Sequence, residues 1–244
     1  MKIATRDQWL TKRKALLARE RELTHLRDQI AAERRKLPWV RVEKDYVFDT
    51  PQGPRKLADL FEGRGQLVVQ HFMLGPGWEE GCPSCSYMAD HTDPMTPHLA
   101  QRDIPFVAIS RAPLAELERF KQRMGWRFTW VSSHGTDFNF DYNVSFTEEQ
   151  KGGEVTYNFA KQPWEWSELP GISVFVKDAS GAVFHTYSTY RRGVEAMMGS
   201  YSLIDLTPKG RDEEEVGGMG WVLHHDKYES QPKAAAGSCC HSKA

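Results

Sequence analysis

Two cysteines three positions apart are the residues of this sequence best suited to chemistry. The motif Gly81-Cys82-Pro83-Ser84-Cys85 follows an apolar run that ends at Leu74. Proline is favoured at the first position of a helix, where its missing N–H would have no partner anyway. Cys82 is therefore predicted at or just before a helix N-terminus, where unpaired N–H groups and the helix dipole stabilise a thiolate. Cys85, one turn later, faces the same side and is placed to form a disulfide with Cys82.

This spacing predicts a dithiol that cycles between reduced and oxidised forms. Cys82 is the expected attacking nucleophile, and Cys85 is the expected resolving thiol. A zinc site is the main chemical alternative, because the pair offers two of four ligands and His91 and His98 follow it. Inert cysteines are the second alternative. The sequence has no second Cys-x-x-Cys motif, so redox chemistry is favoured and no bound cofactor or metal is expected.

The elements that must position this pair alternate between β-rich and helical runs. Such alternation predicts βαβ units around a covered central sheet. The turn from Lys177 to Gly181 joins two apolar runs and predicts an antiparallel hairpin, so the sheet should be mixed. A final helix is expected from Thr189 to Met198. The other predicted strands are Tyr46 to Phe48, Gln66 to Leu74, Ile104 to Ser110, Arg127 to Val131 and Val155 to Phe159, and the other helices follow Pro83 and run from Pro113 to Met124.

Three segments are predicted along the chain: an N-terminal helical extension over 1–37, one domain over 38–228 and a flexible tail over 229–244. An apolar residue recurs every seventh position of the extension (Trp9, Leu16, Leu23, Ile30 and Leu37), which predicts a long amphipathic helix. Packing of this stripe on its own domain is favoured, and a homodimer through the helix is the alternative. In the tail, Cys239 and Cys240 are interpreted as exposed thiols, with electron relay and metal binding as alternatives.

Composition excludes several classes of protein. Forty per cent hydrophobic and 27% charged residues are typical of a folded globular chain. A net charge of −1 gives no general attraction to nucleic acid. No apolar run approaches the length of about 18 residues that a membrane span needs, and the first residues lack the apolar core of a secretory signal. The expected location is the cytoplasm, with no nucleic-acid or membrane partner.

Several longer strings resemble one family, catalogued as domain of unknown function 899. They are GCPSCS from Gly81, ISRAPL from Ile109, RMGW from Arg123, VSS from Val131, FNFD from Phe138, HTYSTY from His185 and DLTP from Asp205. The resemblance covers roughly residues 5 to 228. It implies a thioredoxin-like, three-layer α/β fold with a central mixed sheet. It also implies a thiol-disulfide oxidoreductase that acts on a protein or small-molecule disulfide and draws electrons from another dithiol protein or a low-molecular-weight thiol. The alternative is a non-catalytic binding or regulatory module whose cysteines serve as a redox sensor or zinc clip.

Thioredoxins suggest further residues for the site. They have Trp before the first cysteine and Gly-Pro between the two, where this chain has Gly81 and then Pro83 and Ser84. A cis-proline faces their dithiol, and the aligned position here is Ile172 or Ser173. Pro170 comes two residues too early for that role, so the mode of substrate docking is left open.

A buried acid assists the second cysteine of thioredoxins and would fall near Gln70 or His71. His71 is a candidate proton acceptor, with a hydrogen-bonded core histidine as the alternative. Trp78 and Tyr87 bracket the cysteines and are candidates for an apolar rim that meets a partner. Arg111 and Arg191 are candidates to pair with an acidic substrate group, or else are surface ion-pair residues. Trp164, Trp166 and Trp221 are assigned to packing. The peroxiredoxin loop signature is missing, because its Pro and Thr positions hold Gly75 and Glu79.

Overall fold

A computed structural model describes residues 3–214 and 217–230. The chain divides between Val40 and Arg41 into two compact units. No helix in the described part of the chain is both long enough and apolar enough to cross a membrane. The tail residues from 231 onward, including Cys239 and Cys240, lie outside the described residues, so their interpretation stays a prediction.

The first unit is dominated by one long helix, α1 (Arg6–Arg34). Thr5 caps its start, because the Thr5 hydroxyl accepts from the Gln8 N–H and the Gln8 side chain accepts from the Thr5 N–H. No residue of α1 is buried, and Leu16 is 54% exposed. The long helix is as the sequence predicted. What covers its apolar stripe stays a prediction.

The main sheet is mixed, as predicted. Its six strands are β1 (Val40–Arg41), β4 (Gln66–His71), β5 (Phe106–Ser110), β6 (Thr129–Ser132), β9 (Gly171–Lys177) and β10 (Val183–Tyr190), in the order β1-β10-β9-β4-β5-β6. β5 is parallel to β4 and β6, whereas β9 is antiparallel to β4 and β10. The turn between β9 and β10 is held by the Asp178 carboxylate, which accepts from the N–H groups of Ser180 and Ala182.

Smaller elements surround this sheet. Two hairpins pair β2 (Val47–Phe48) with β3 (Arg55–Lys56), and β7 (Glu154–Tyr157) with β8 (Ala160–Pro163). The helices are α2 (Pro83–Thr92), α3 (Thr96–Ala100), α4 (Leu114–Met124), α5 (Phe138–Asp141) and α6 (Gly199–Ile204).

Apolar clusters cover both faces of the sheet, which gives the expected three-layer α/β fold with a central mixed sheet. Leu67 and Val69 of β4 point into one cluster, with Phe175 of β9. Phe72 and Cys85 belong to the opposite cluster. Because side chains alternate along a strand, neighbouring residues of β4 serve different layers, and this decides which of them meet α2.

The final helix expected near Thr189 to Met198 is wrong in its start and in its type. β10 continues to Tyr190, which pairs with Gly171 of β9, and a 3₁₀ helix follows over Arg191–Met197. Thr and Tyr favour strands, and pairing with β9 outweighs the helical pattern read from the sequence. Arg191 has a φ of +49°, which ends the strand.

Candidate active site

The loop between β4 and α2 fixes the two cysteines. Cys82 is the N-cap of α2, and Pro83 is the first helical residue. The Cys82 N–H donates to the Met73 carbonyl at 3.0 Å, and the Ser86 N–H and hydroxyl both donate to the Cys82 carbonyl. The backbone on both sides of Cys82 is therefore hydrogen bonded. Cys85, one turn later, is 1% exposed, whereas Cys82 is half-buried.

Gly81 is required by close packing before the first cysteine. A Cβ at this position would lie 2.6 Å from the ring of Phe72 and 2.8 Å from the ring of Phe120. These distances are shorter than any real Cβ contact, and both rings are buried. A larger residue, such as the Trp of thioredoxins, cannot stand at this place unless both rings move.

The two thiols have different acidities. A hydrogen bond from the Cys85 thiol is the main cause that lowers the pKa of Cys82 to about 7. Burial opposes this shift, while the N–H groups of Cys85 and Ser84 and the Ser84 hydroxyl add to it. The same contact with Cys82 raises the pKa of Cys85 well above its ordinary value, and burial raises it further. Near neutral pH a substantial fraction of Cys82 is therefore thiolate, while Cys85 keeps its proton.

Glu80, the carboxylate nearest to Cys82 in sequence, is paired with two cations. Glu80 accepts from Lys227 at 2.7 Å and from Arg123 at 2.5 Å, and these bonds hold its pKa below the usual range. His224, which is buried, lies with Nε2 at 2.8 Å from the Gly81 carbonyl. The segment around His224 was not predicted to contribute to the site, and nothing in its local sequence points there.

A cavity of about 730 Å³ opens beside the two thiols. Its walls are largely apolar, with charged side chains from the segment that follows β10. The lining residues include Met73, Cys82, Ser84, Cys85, Met88, Trp164, Trp166, Leu169, Pro170, Arg191, Arg192, Glu195, Met198, Tyr201, Asp205, Arg211, Glu213 and Met219. Sequence reasoning missed most of them, because they come from three segments remote from the cysteine motif.

His71 lies on the face of the sheet opposite the cysteines. Its side chain is fully buried, its Nε2 contacts the Ser173 hydroxyl at 2.8 Å, and burial lowers its pKa to about 3. It stacks on Phe138 and Tyr142, as a core histidine does. Gln70 instead faces α2, where its Nε2 donates to the Cys85 carbonyl at 3.1 Å. The position of the thioredoxin acid is thus filled by an amide.

Ile172 and Ser173 are buried and do not line the cavity, so neither can form a rim there. Ser173 shares a hydrogen bond with Ser188 on the His71 face. Leu169 and Pro170 line the cavity instead. No cis peptide bond is present in the described residues.

The other candidate rim residues separate into two groups. Ser84 lines the cavity, while Pro83 is exposed outside it and Trp78 packs against the apolar cluster of α2. Tyr87 is 7% exposed and packs on the rings of Tyr201 and Trp221, so it cannot serve as a rim. Trp166, assigned from sequence to packing, is 60% exposed at the cavity mouth.

His91, one of the two histidines proposed for a zinc site, has other neighbours. His91 Nδ1 lies 2.6 Å from the Tyr87 carbonyl, and its Nε2 accepts from the Ser200 N–H. Within residues 3–214 and 217–230, no three His, Cys, Asp or Glu side chains are grouped to hold a metal ion.

Behind the cavity wall lies a buried ion pair. Glu168, 1% exposed, accepts from Arg111 at 2.9 Å and from the Ser145 hydroxyl at 2.6 Å. Burial raises its pKa to about 7 despite these bonds. The pair ties the segment that ends in Leu169 and Pro170 to the end of β5. Arg111 is therefore engaged within the protein.

Comparisons with solved structures give remote likenesses. Peroxidoxin BcpB from Mycobacterium tuberculosis is 16% identical, with a TM-score of 0.44 over 67% of this chain and 96% of its own. The bacterioferritin comigratory protein of Xanthomonas campestris is 10% identical, with a TM-score of 0.46 over 68% of this chain and 96% of its own. The mitochondrial 2-Cys peroxiredoxin of Plasmodium falciparum is 15% identical, with a TM-score of 0.40 over 68% and 94%.

A search of curated proteins finds no relative of this chain. The family model described as "Bacterial protein of unknown function (DUF899)" matches residues 1–228, which confirms the resemblance drawn from the sequence strings. The chain belongs to the DUF899 family.

Proposed function

We propose that the protein is a thiol-disulfide oxidoreductase in which Cys82 attacks and Cys85 resolves. The observation that carries the proposal is the difference in acidity between two adjacent thiols on the wall of an open cavity. Cys82 has a pKa of about 7 and is half-buried, while Cys85 holds its proton and is buried. A nucleophilic thiol with a pKa near ambient pH combines a large thiolate fraction with good reactivity.

In the first step the Cys82 thiolate attacks one sulfur of a substrate disulfide. The substrate S–S bond breaks, a mixed disulfide forms with Cys82, and the first substrate thiolate leaves and takes a proton from solvent. The reaction conserves electrons, because one disulfide replaces another. Hydrogen bonds to the N–H and the carbonyl of Cys82 fix the backbone that carries the sulfur.

In the second step Cys85 attacks the Cys82 sulfur of the mixed disulfide. The hydrogen bond to Cys82 and the Cys82 charge both raise the Cys85 pKa. Both effects end when Cys82 becomes neutral, while a hydrogen bond from the Met73 backbone continues to favour the Cys85 thiolate. Formation of the mixed disulfide thus activates the resolving thiol. The Cys85 proton passes to solvent, the S–S bond between Cys82 and the substrate breaks, and the second substrate thiolate leaves and is protonated from solvent. Another dithiol protein or a low-molecular-weight thiol then reduces the resulting Cys82–Cys85 disulfide and is itself oxidised to a disulfide.

A potential titration tests the proposal. The full chain carrying Cys239→Ser and Cys240→Ser is equilibrated in thiol-disulfide buffers, trapped by alkylation and mapped by mass spectrometry. We expect a reversible two-electron transition on the one peptide that carries both thiols. Turnover of a generic disulfide should be lost in Cys82→Ser and should stop at the mixed disulfide in Cys85→Ser. Full turnover by Cys82→Ser would refute the assignment.

Metal analysis of the reduced protein separates catalysis from the zinc-clip alternative. The catalytic proposal predicts no stoichiometric zinc in the protein with or without Cys85→Ser. Zinc at one equivalent that is lost in Cys85→Ser, together with no turnover, would favour the regulatory module.

A further inference from the structure

We propose that the cavity beside the thiols selects small organic disulfides that carry an anionic group on an apolar body. This inference rests on the proposed oxidoreductase function and adds the substrate class. It is carried by the size of the cavity, by its apolar walls and by one cation, Arg191, that has no carboxylate partner among the residues that the structure describes.

The interior of the cavity suits a small molecule. Its volume of about 730 Å³ falls in the range of small-molecule sites, which are typically lined by apolar side chains. Four methionines, Met73, Met88, Met198 and Met219, contribute to the walls. Methionine is flexible and polarizable, so such walls adapt to apolar groups of different shapes. The thiols lie on this wall, so the scissile disulfide has to enter the cavity.

Two of the cations at the cavity are already neutralised. Arg192 makes two hydrogen bonds to the Glu195 carboxylate, at 2.9 and 3.3 Å. Arg211 makes two hydrogen bonds to Asp205, both at 2.8 Å, and a further ion pair with Glu195 at 3.2 Å. These four side chains present almost no net charge to a ligand.

The two remaining charged residues of the cavity, Glu213 and Arg191, have different hydrogen-bond partners. Glu213 accepts from the Tyr201 hydroxyl at 2.6 Å and from the Trp221 indole at 3.3 Å. Arg191 donates to the neutral side-chain oxygen of Gln162, and no carboxylate among the described residues lies within ion-pair distance of it. A guanidinium has five N–H donors in a fork that matches a carboxylate. Arg191 therefore has both charge and donors to offer an anionic ligand.

Arg191 lines the same cavity as the thiols, and the surrounding residues hold it in an unusual backbone conformation. Its φ of +49° is uncommon for a residue with a side chain, and such strain often marks ligand sites. The Tyr157 hydroxyl accepts from the Arg191 N–H at 3.4 Å and donates to the Pro170 carbonyl at 2.7 Å. The Arg191 guanidinium lies over the Tyr157 and Trp164 rings. These contacts place the cation beside the cavity wall formed by Pro170.

Two aromatic disulfides test the inference. Dithiobis(nitrobenzoate) carries two carboxylates, and dithiodipyridine is neutral. The second-order rate constant of each is measured with the reduced full chain carrying Cys239→Ser and Cys240→Ser. We expect Arg191→Gln to slow the dicarboxylate by about tenfold, equivalent to about 1.4 kcal/mol of lost transition-state binding. The neutral disulfide should change by less than about twofold, since it makes no ion pair. Arg191→Lys should restore part of the lost rate.

Arg55→Gln is the control, because it makes the same change in charge at an exposed arginine of β3 that does not line the cavity. It should leave the ratio of the two rate constants unchanged. An equal loss in Arg55→Gln, or an unchanged ratio in Arg191→Gln, would overturn the inference but not the proposed function. Failure of both disulfides to oxidise the wild-type thiols would instead refute the proposed function. In case Arg191→Gln does not fold, raising the salt concentration with the wild-type residue should slow the dicarboxylate selectively, and an unchanged ratio there would also overturn the inference.

Discussion

His224 Nε2 lies 2.8 Å from the carbonyl oxygen of Gly81, the residue that precedes Cys82. Because a carbonyl only accepts, Nε2 carries the hydrogen and donates it. Both residues are buried, so the bond fixes the entry to the Cys82 loop from a segment 143 residues away in sequence.

Replacing His224 tests this clamp. His224→Ala leaves the buried Gly81 carbonyl without a partner and should lower the unfolding free energy by about 1–3 kcal/mol. His224→Gln, which retains an N–H donor, should recover part of that loss. The control is His225→Ala: its imidazole is exposed and bonds Asp90 at 2.7 Å, and its effect should stay within about 0.5 kcal/mol. Denaturant unfolding measures all three, and equal effects of His224→Ala and His225→Ala would contradict the clamp.

Gly81→Ala should destabilise the protein by about 1–3 kcal/mol, the usual cost of overpacking a core. The added methyl group would overlap the rings of Phe72 and Phe120. Gly220→Ala is the matched control, because nothing lies within 4 Å of a Cβ at that position. Thermal unfolding followed by circular dichroism compares the two. An unchanged melting temperature of Gly81→Ala would show that the rings of Phe72 and Phe120 move aside at little cost, and would contradict the prediction.

The cysteine motif illustrates what the sequence predicts well. The apolar run of β4, Pro83 and the three-residue spacing place Cys82 at a helix start through local rules alone. The His224 contact depends on tertiary packing, and no local pattern around His224 encodes it. The same is true of the cavity wall at Leu169 and Pro170, which follows from how the segment after β8 returns to the sheet.

The end of β10 and the position of His71 are two further features that the sequence alone does not determine. Thr189 and Tyr190 carry an ambiguous pattern, and only pairing with β9 decides for a strand. Gln70 and His71 are neighbours on β4, so their side chains point to opposite faces of the sheet. An error of one residue in the predicted register therefore changes which of the two faces the cysteines. The structure assigns that face to Gln70, which bonds the Cys85 carbonyl.

The reactivity of Cys82 should follow a titration with a midpoint near pH 7, because its thiolate is the reactive form. Alkylation by iodoacetamide should accelerate as the pH rises through this value, while Cys85 reacts only at higher pH. Cys85→Ala removes the leading hydrogen bond to the thiolate and should move the Cys82 midpoint upward. Cys85→Ser retains a donor and should move it less. Quantitative mass spectrometry of the alkylated peptide measures the extent of alkylation at Cys82 and at Cys85. An unchanged Cys82 midpoint in Cys85→Ala would refute the role of the Cys85 hydrogen bond.

Glu168 should make stability depend on pH. Burial raises its folded-state pKa to about 7, above the value of about 4.3 expected in the unfolded chain. The folded protein therefore holds this proton more tightly, so the stabilisation is fully present below about pH 4 and is lost as the pH rises through about 7. At about 1.4 kcal/mol per pKa unit, the change in unfolding free energy is on the order of 4 kcal/mol.

Glu168→Gln removes the titrating group and should flatten the unfolding free energy between about pH 5 and 8 relative to the unsubstituted chain. Glu148→Gln is the control, because that carboxylate pairs with Lys151 at the surface and is 79% exposed. Denaturant unfolding at several pH values gives the difference curve. The unfolding free energy of the unsubstituted chain minus that of Glu168→Gln should fall as the pH rises. A rise of this difference with pH, or an equal pH dependence of the difference for Glu148→Gln, would contradict the assignment. Since Glu168 immediately precedes Leu169 and Pro170, the same variant should also alter the cavity wall that faces the thiols, which the rate of Cys82 alkylation at a fixed pH reports.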